Sequence, residues 1–264
     1  MRIDLTGKRA IVTGSTVGIG FAIASGLAES GAAVVLNGRS EKSVAAAKAR
    51  LTQTLPKAKV DAVVADLGTA DGAAAFIKRA GDADILVNNV GIFEPKEFAD
   101  IPDEDWHRFF DINVMSGVRL SRHYLPAMMK RDWGRIVFIS SESGLNIPKE
   151  MIHYGMTKTA QLAISRGLAQ VAVGTGVTVN AVLPGPTRSE GVVDFLDKLG
   201  GGQNVPQAEM EKKLIAEGRP TSLIQRLATP EEVANMVVYV CSTQASATTG
   251  AALRVDGGVV NFIA

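Results

Sequence analysis

The sequence predicts an α/β chain built as one doubly wound parallel sheet with helices on both faces. Short β-branched runs alternate with alanine-rich helical stretches about six times, which is the rhythm of right-handed β-α-β crossovers. The strand candidates are nearly all apolar rather than alternating, as expected where both faces are covered. In addition, a glycine-rich turn joins the first strand to the first helix.

Taken in order, the expected strands are Arg9–Thr13, Ala33–Leu36, Val60–Val64, Ile85–Asn88, Gly134–Ile139, Val177–Val182 and Leu253–Val255. The helices between them are Ile19–Glu29, Ser43–Thr54, Thr69–Ala80, Asp103–Met129, Met151–Val173 and Pro230–Cys241. Strong helix formers fill 44–51 without a breaker. Thr229-Pro230-Glu231-Glu232 supplies an N-cap, a proline at the first helical position and acids in the first turn. No composition shift divides the chain, so residues 1–264 form a single domain. The exception to the rhythm is Thr187–Arg219, which carries Gly200-Gly201-Gly202 and weak periodicity. Loops this long inside a compact domain are usually functional, so 187–219 is expected to form a substrate loop or lid. Val192, Val193, Phe195, Leu196 and Leu199 are its apolar closing face.

Composition narrows the function. There are 28 Lys+Arg against 27 Asp+Glu, a net charge of +1, which gives no support to a nucleic-acid or membrane partner. Cys241 stands alone and makes no internal disulfide. The uncharged runs Ala10–Ala28, Gly167–Thr187 and Val233–Leu253 are each interrupted by glycine, proline or polar residues. They read as buried elements of a cytoplasmic protein rather than spans or a signal peptide. His107, His123 and His153 are dispersed, so no metal site is expected.

The first strand runs into Thr13-Gly14-Ser15-Thr16-Val17-Gly18-Ile19-Gly20. Glycines admit a phosphate close to backbone N–H groups, and the following helix N-terminus adds partial positive charge. The turn lacks the lysine of a P-loop, which argues against an NTPase. After the second strand comes Leu36-Asn37-Gly38-Arg39-Ser40. An acid there would bind ribose hydroxyls, whereas an arginine suits a 2′-phosphate. Arg39 therefore favours NADP(H), with NAD(H) possible. Further on, Tyr154 and Lys158 stand at i, i+4 on one helix face, where a cation can lower a phenol's pKa.

Together with Asn88-Asn89-Val90-Gly91, Ser141, Asn180, Pro184-Gly185 and Asp256-Gly257-Gly258, these motifs occur in an order that resembles the short-chain dehydrogenase/reductase family. The resemblance runs from about Gly7 to Val259 and implies a Rossmann-like fold. It also implies a catalytic set of Asn113, Ser141, Tyr154 and Lys158. Tyr154 would be the acid/base, and Ser141 would bind the substrate oxygen alongside it. Lys158 would lower the phenol's pKa and hold the nicotinamide ribose, while Asn113 would hold a water in a proton relay. The implied cofactor contacts are Gly14, Ser15, Thr16, Gly18, Ile19, Gly20, Arg39, Asp66, Leu67, Asn89, Gly91, Tyr154, Lys158, Pro184, Gly185 and Thr187. The partner is a small carbonyl or alcohol substrate, and a homotetramer is suggested.

Two positions depart from the family pattern. Val90 replaces the usual alanine, and Val17 stands where NADP-dependent relatives often carry a basic residue. Within the family, the chain is most similar to the 3-oxoacyl-(acyl-carrier-protein) reductase-like branch, which makes that activity an alternative. However, the places where that branch carries carrier-binding basic residues hold Asp132 and Thr175. A non-catalytic NADP-binding regulator is a second alternative, opposed by the complete four-residue set. Glu142, next to Ser141, is expected to be a solvated acid, with a place in the pocket lining as the alternative.

Overall fold

A computed structural model describes residues 2–192 and 206–263. Among the described residues seven strands form one parallel sheet: β1 (Arg9–Val12), β2 (Ala33–Gly38), β3 (Val60–Val64), β4 (Ile85–Asn88), β5 (Gly134–Ile139), β6 (Val177–Pro184) and β7 (Ala252–Val255). Their spatial order is β3-β2-β1-β4-β5-β6-β7, a Rossmann-like doubly wound arrangement. The helices are α1 (Gly18–Glu29), α2 (Glu41–Thr54), α3 (Ala70–Ala80), α4 (Asp103–Phe110), α5 (Ser116–Lys130), α6 (Ile152–Val171), α7 (Gln207–Lys213) and α8 (Pro230–Val240).

The apolar strands are explained by two cores. Ala10, Val12, Val34, Leu36, Ile85 and Val87 face one layer, where α1 and α8 pack. Ile11, Val35, Leu86, Ile136 and Phe138 point the other way, toward α3, α5 and α6. Successive strand residues alternate faces, so a strand covered on both sides reads as a near-continuous apolar run.

Local caps set several boundaries. Ser40 accepts the Ser43 N–H at the start of α2, and Thr69 accepts that of Gly72 at α3. At α8, Thr229 accepts the Glu232 N–H at 3.2 Å while the Glu232 carboxylate accepts the Thr229 N–H at 2.8 Å. The single helix expected over Asp103–Met129 is instead α4 and α5 joined by a π-turn at Asp111–Met115. One extra residue in that turn re-aims the side chains around Asn113, which helical periodicity in the sequence does not reveal. β6 continues past Val182 to Pro184 because β7 pairs with it as far as Pro184↔Val255.

The sheet changes winding direction between β1 and β4, and a crevice opens at their carboxyl ends. Thr13 stitches this point: its hydroxyl donates to Val87 O and accepts N–H groups from Asn89 and Val90, at 2.9 and 3.0 Å. Of the expected lid, Val192 lies among the described residues; Val193, Phe195, Leu196 and Leu199 lie outside them. No helix among the described residues is long and apolar enough to cross a membrane.

Candidate active site

Two cavities of about 480 and 350 Å³ meet at the crevice. They share Ile19, Asn89, Gly91, Ile92 and Ser189, so they form one elongated trough.

The smaller cavity lies over the glycine turn. Gly14 and Gly18 adopt φ of +59° and +56°, in the left-handed region. A Cβ on Gly20 would lie 2.3 Å from Gly14 O, so only glycine permits this close crossing. No side chain caps the N-terminus of α1, which leaves its first N–H groups directed at the cavity and available to an anion. Thr16, Asp66 and Leu67 line the same space, and the exposed Arg39 stands on its rim.

The end of β2 carries Asn37 rather than an acid. Its side-chain amide donates to Val63 O and Ala65 O, both at 3.2 Å, and its oxygen accepts the Gly14 N–H at 3.2 Å. A carboxylate could not make those two donations. Asn37 therefore shapes the turn, and no acid at this strand end competes with a 2′-phosphate. These residues fit a dinucleotide: a glycine cradle, an open helix N-terminus and a cation at the adenosine end.

Two expected site residues, one a cofactor contact and one of the catalytic set, do not line the trough. Ser15 is fully buried and does not line the trough; its hydroxyl donates to Val12 O at 2.7 Å and accepts the Asn37 N–H at 2.9 Å. It locks β1 to β2. Asn113 is also buried behind the trough wall. Its side chain exchanges two hydrogen bonds with the Ile92 backbone, at 2.7 and 3.0 Å, and donates to Thr157 Oγ1 at 3.0 Å. Its carbonyl accepts from Gln161 Nε2 at 2.6 Å. Asn113 thus braces the loop after β4 against α6, and its backbone carbonyl accepts from Gln161.

In the larger cavity, Ser141, Tyr154 and Lys158 converge. Ser141 follows β5, and the other two project from the first turns of α6. Lys158 is buried; its Nζ donates to Ile139 O at 2.9 Å and Gln161 Oε1 at 3.3 Å, and lies 5.5 Å from the Tyr154 ring centroid. Burial pushes its pKa down to about 8, opposed by the charge of Glu142. Burial raises the Tyr154 phenol above its ordinary range and Glu142 adds to that, while a hydrogen bond with Ser141 and the Arg219 charge act in the opposite direction. The ammonium is turned to the β5 carbonyl and Gln161, and the phenol is desolvated.

Glu142 also differs from expectation: it is 4% exposed. One carboxylate oxygen accepts the Ser141 hydroxyl and the Ser143 N–H, the latter at 2.8 Å. The other accepts Arg219 Nε at 2.7 Å. Arg219 also approaches Glu150 at 3.6 Å. Arg219, Glu150 and Gln161 carry no local motif, and only the fold brings them to the site. His153, beside Tyr154 in sequence, is directed away into a packing cluster with Trp106 and Phe109.

A dinucleotide cradle opening onto a Ser-Tyr-Lys cluster defines an oxidoreductase that moves hydride between a nicotinamide and a carbonyl or alcohol carbon. The family profile described as enoyl-(acyl carrier protein) reductase matches residues 14–260. The chain is 51% identical to the uncharacterized oxidoreductase YvaG of Bacillus subtilis (strain 168), over 100% of both chains. It is 34% identical to a D-beta-hydroxybutyrate dehydrogenase of Cupriavidus necator, covering 97% of this chain and 99% of the relative. The crystal structure of L-sorbose reductase from Gluconobacter frateurii, complexed with NADPH and L-sorbose, superposes with a TM-score of 0.93 at 31% identity, over 100% of both chains. This chain belongs to the short-chain dehydrogenase/reductase family and is an oxidoreductase acting on CH–OH and carbonyl groups.

Proposed function

We propose that this enzyme interconverts a small neutral ketone and its secondary alcohol with NADP(H), using Tyr154 as the acid/base group. The observation that carries this is the convergence of Ser141, Tyr154 and Lys158 on the wall of a cavity continuous with the glycine cradle. When bound, the nicotinamide gives or takes the hydride. Tyr154 gives or takes the proton at the substrate oxygen, and Ser141 holds that oxygen beside it. Lys158 binds the ribose from the cavity wall, where it stands beside Gly91. Asn113 keeps the loop after β4 and α6 in register. Gly14, Thr16, Gly18, Ile19 and Gly20 take the phosphates, and Asp66, Leu67, Asn89 and Gly91 the adenosine side. Pro184, Gly185 and Thr187 take the nicotinamide side. Arg39 supports NADP(H), as do relatives crystallised with NADPH.

Glu142 and Glu150 are balanced in the substrate cavity by Arg219 and Lys158, which suits a neutral substrate and gives its hydroxyl groups both donors and acceptors. A carrier-bound acyl substrate is opposed by Asp132, whose carboxylate accepts the Gly176 N–H, and by Thr175. The neighbouring arginines are committed elsewhere: Arg131 to Ala83 O, and the buried Arg135 to Gly134 O, Gly176 O and Ser242 O. A homotetramer and a cytoplasmic location belong to the same proposal. The exposed Leu223, Ile224, Phe262 and Ile263 support self-association, which sedimentation would measure. The deciding experiment is Tyr154→Phe with a panel of ketones, sugars and alcohols. Turnover is abolished while NADPH affinity stays nearly intact; undiminished turnover would refute the assignment.

A further inference from the structure

The substrate cavity carries more charge than the positioning of one reacting oxygen requires. Glu142 beside Ser141, Glu150 from the turn preceding α6 and Arg219 from the segment following α7 all line it. The side chains of Ile92, Phe93, Pro95 and Leu214 line the same cavity; they can pack against carbon but give a hydroxyl no partner. Within the charged group, Glu142 Oε2 is filled, since it accepts both the Ser141 hydroxyl and the Ser143 N–H. Its Oε1 accepts Arg219 Nε at 2.7 Å and keeps a second lone-pair position.

Arg219 and Glu150 have more capacity to spare. Arg219 Nη1 donates to Gly218 O at 2.6 Å, whereas Nη2 has no hydrogen-bond partner among the described residues. The Glu150 carboxylate stands 3.6 Å from Nη1, beyond a good hydrogen bond, and accepts none from the described residues. Its turn is pinned, because the Glu150 carbonyl accepts the Lys96 N–H at 2.9 Å. Donors and acceptors thus face each other across a gap that neither closes. A hydroxyl both donates and accepts, so it satisfies the two sides together. An alkyl group in the same place would expel water and leave charged groups unpaired, which is the penalty that makes a polar site reject an apolar analogue.

We propose that Arg219 and Glu150 form a subsite for a second hydroxyl, carried on the carbon next to the reacting one, so that the substrate pair is an α-hydroxyketone and a vicinal diol. This inference rests on the reading that places the reacting oxygen at Ser141 and Tyr154. The neighbouring position follows from Glu142, a single carboxylate that joins both places: Oε2 holds Ser141 and Oε1 holds Arg219. The reacting oxygen beside Ser141 and the hydroxyl beside Arg219 therefore flank one carboxylate, a separation suited to oxygens on adjacent carbons. Arg219 Nη2 donates to the second hydroxyl oxygen, and that hydroxyl donates to the Glu150 carboxylate. Arg219 is thus a specificity-determining residue, and its bond to Glu142 fixes the guanidinium for the task. The apolar lining is left to hold the rest of the carbon skeleton.

The test compares butanone, acetoin and the methyl ether of acetoin as substrates with NADPH. Its readout is the ratio of kcat/KM for acetoin to that for butanone, in which any general loss of activity cancels. The ratio is expected to be roughly 100-fold, the value of a hydrogen bond to a charged group. The ether has no proton for Glu150 and should fall close to butanone. Arg219→Lys keeps a cation for Glu142 but lacks the second nitrogen, and the ratio should drop to below about tenfold. Glu150→Ala, at the more exposed partner, should lower it as well and decides if Arg219→Lys does not fold. A wild-type ratio near unity, an ether as good as acetoin, or a ratio that the deciding variant leaves unmoved would each overturn the proposal. Calorimetry on Tyr154→Phe saturated with NADPH reads the same preference as binding, where acetoin should bind roughly tenfold tighter than butanone or better. That arm decides if the wild-type enzyme turns over neither compound, and equal binding there overturns the subsite. Undiminished turnover by Tyr154→Phe would sink the acid/base assignment, whereas loss of the acetoin preference beside an inactive Tyr154→Phe sinks only the subsite.

Discussion

Arg219→Met removes the guanidinium that compensates Glu142, and its cost can be worked from the site. Nε and Oε1 are 2.7 Å apart, and the two side chains are 14% and 5% exposed. Breaking such a pair from one side costs about 3–5 kcal/mol, because the remaining charge stays buried without a counterion. Glu142 would keep the Ser141 hydroxyl and Ser143 N–H, so the low end, about 3 kcal/mol, is expected. In a domain of this size that corresponds to a Tm lower by roughly 6–12 °C. The double variant Arg219→Met/Glu142→Gln leaves no uncompensated charge and should recover most of the loss, giving a coupling of about 2 kcal/mol. Urea unfolding of the four proteins of the cycle, with reversibility checked, measures it. A single-variant loss below about 1 kcal/mol would refute the reasoning. So would a double variant no more stable than Arg219→Met.

Arg39→Ala should weaken NADPH roughly tenfold or more and NADH less than about twofold, measured by fluorescence titration with each cofactor; equal losses would remove the cofactor assignment. Lys158→Met should abolish turnover yet stabilise the ligand-free fold at pH 7. Because the native pKa of Lys158 is about 8 and a free lysine titrates near 10.4, the native state binds fewer protons between those values. The charge-burial penalty is therefore complete below pH 8 and fades as pH rises toward 10.4, so the variant's advantage in urea unfolding should shrink from pH 7 to pH 9.5. Cys241 is fully buried and its thiol is pushed up to about 12, so a thiol reagent should modify the chain at the rate of unfolding and faster only in denaturant.

The strands, most helices and the glycine turn were legible because each depends on residues adjacent in sequence. β3, β4 and β5 begin and end where the β-branched runs do, and the α8 cap is written in four consecutive residues. The π-turn at Asp111–Met115 was not legible, since one additional residue per turn leaves composition and near-periodicity unchanged. The roles of Ser15 and Asn113 were obscured for a related reason: a motif shows that a residue is near a site, not which way its side chain is turned.

By itself the sequence determined the architecture and the order of the motifs, because periodicity and short-range turns carry that information, and the chemical class followed from the resemblance of that order to the short-chain dehydrogenase/reductase family. Tertiary structure alone decided the electrostatics around Tyr154. Glu142 changed from an expected solvated acid to a buried one because Arg219, 77 residues away, crosses the cavity to pair with it. Gln161 reached the Asn113 carbonyl across 48 residues. Desolvation and charge pairing depend on what surrounds a group in space, and only the folded chain sets those surroundings.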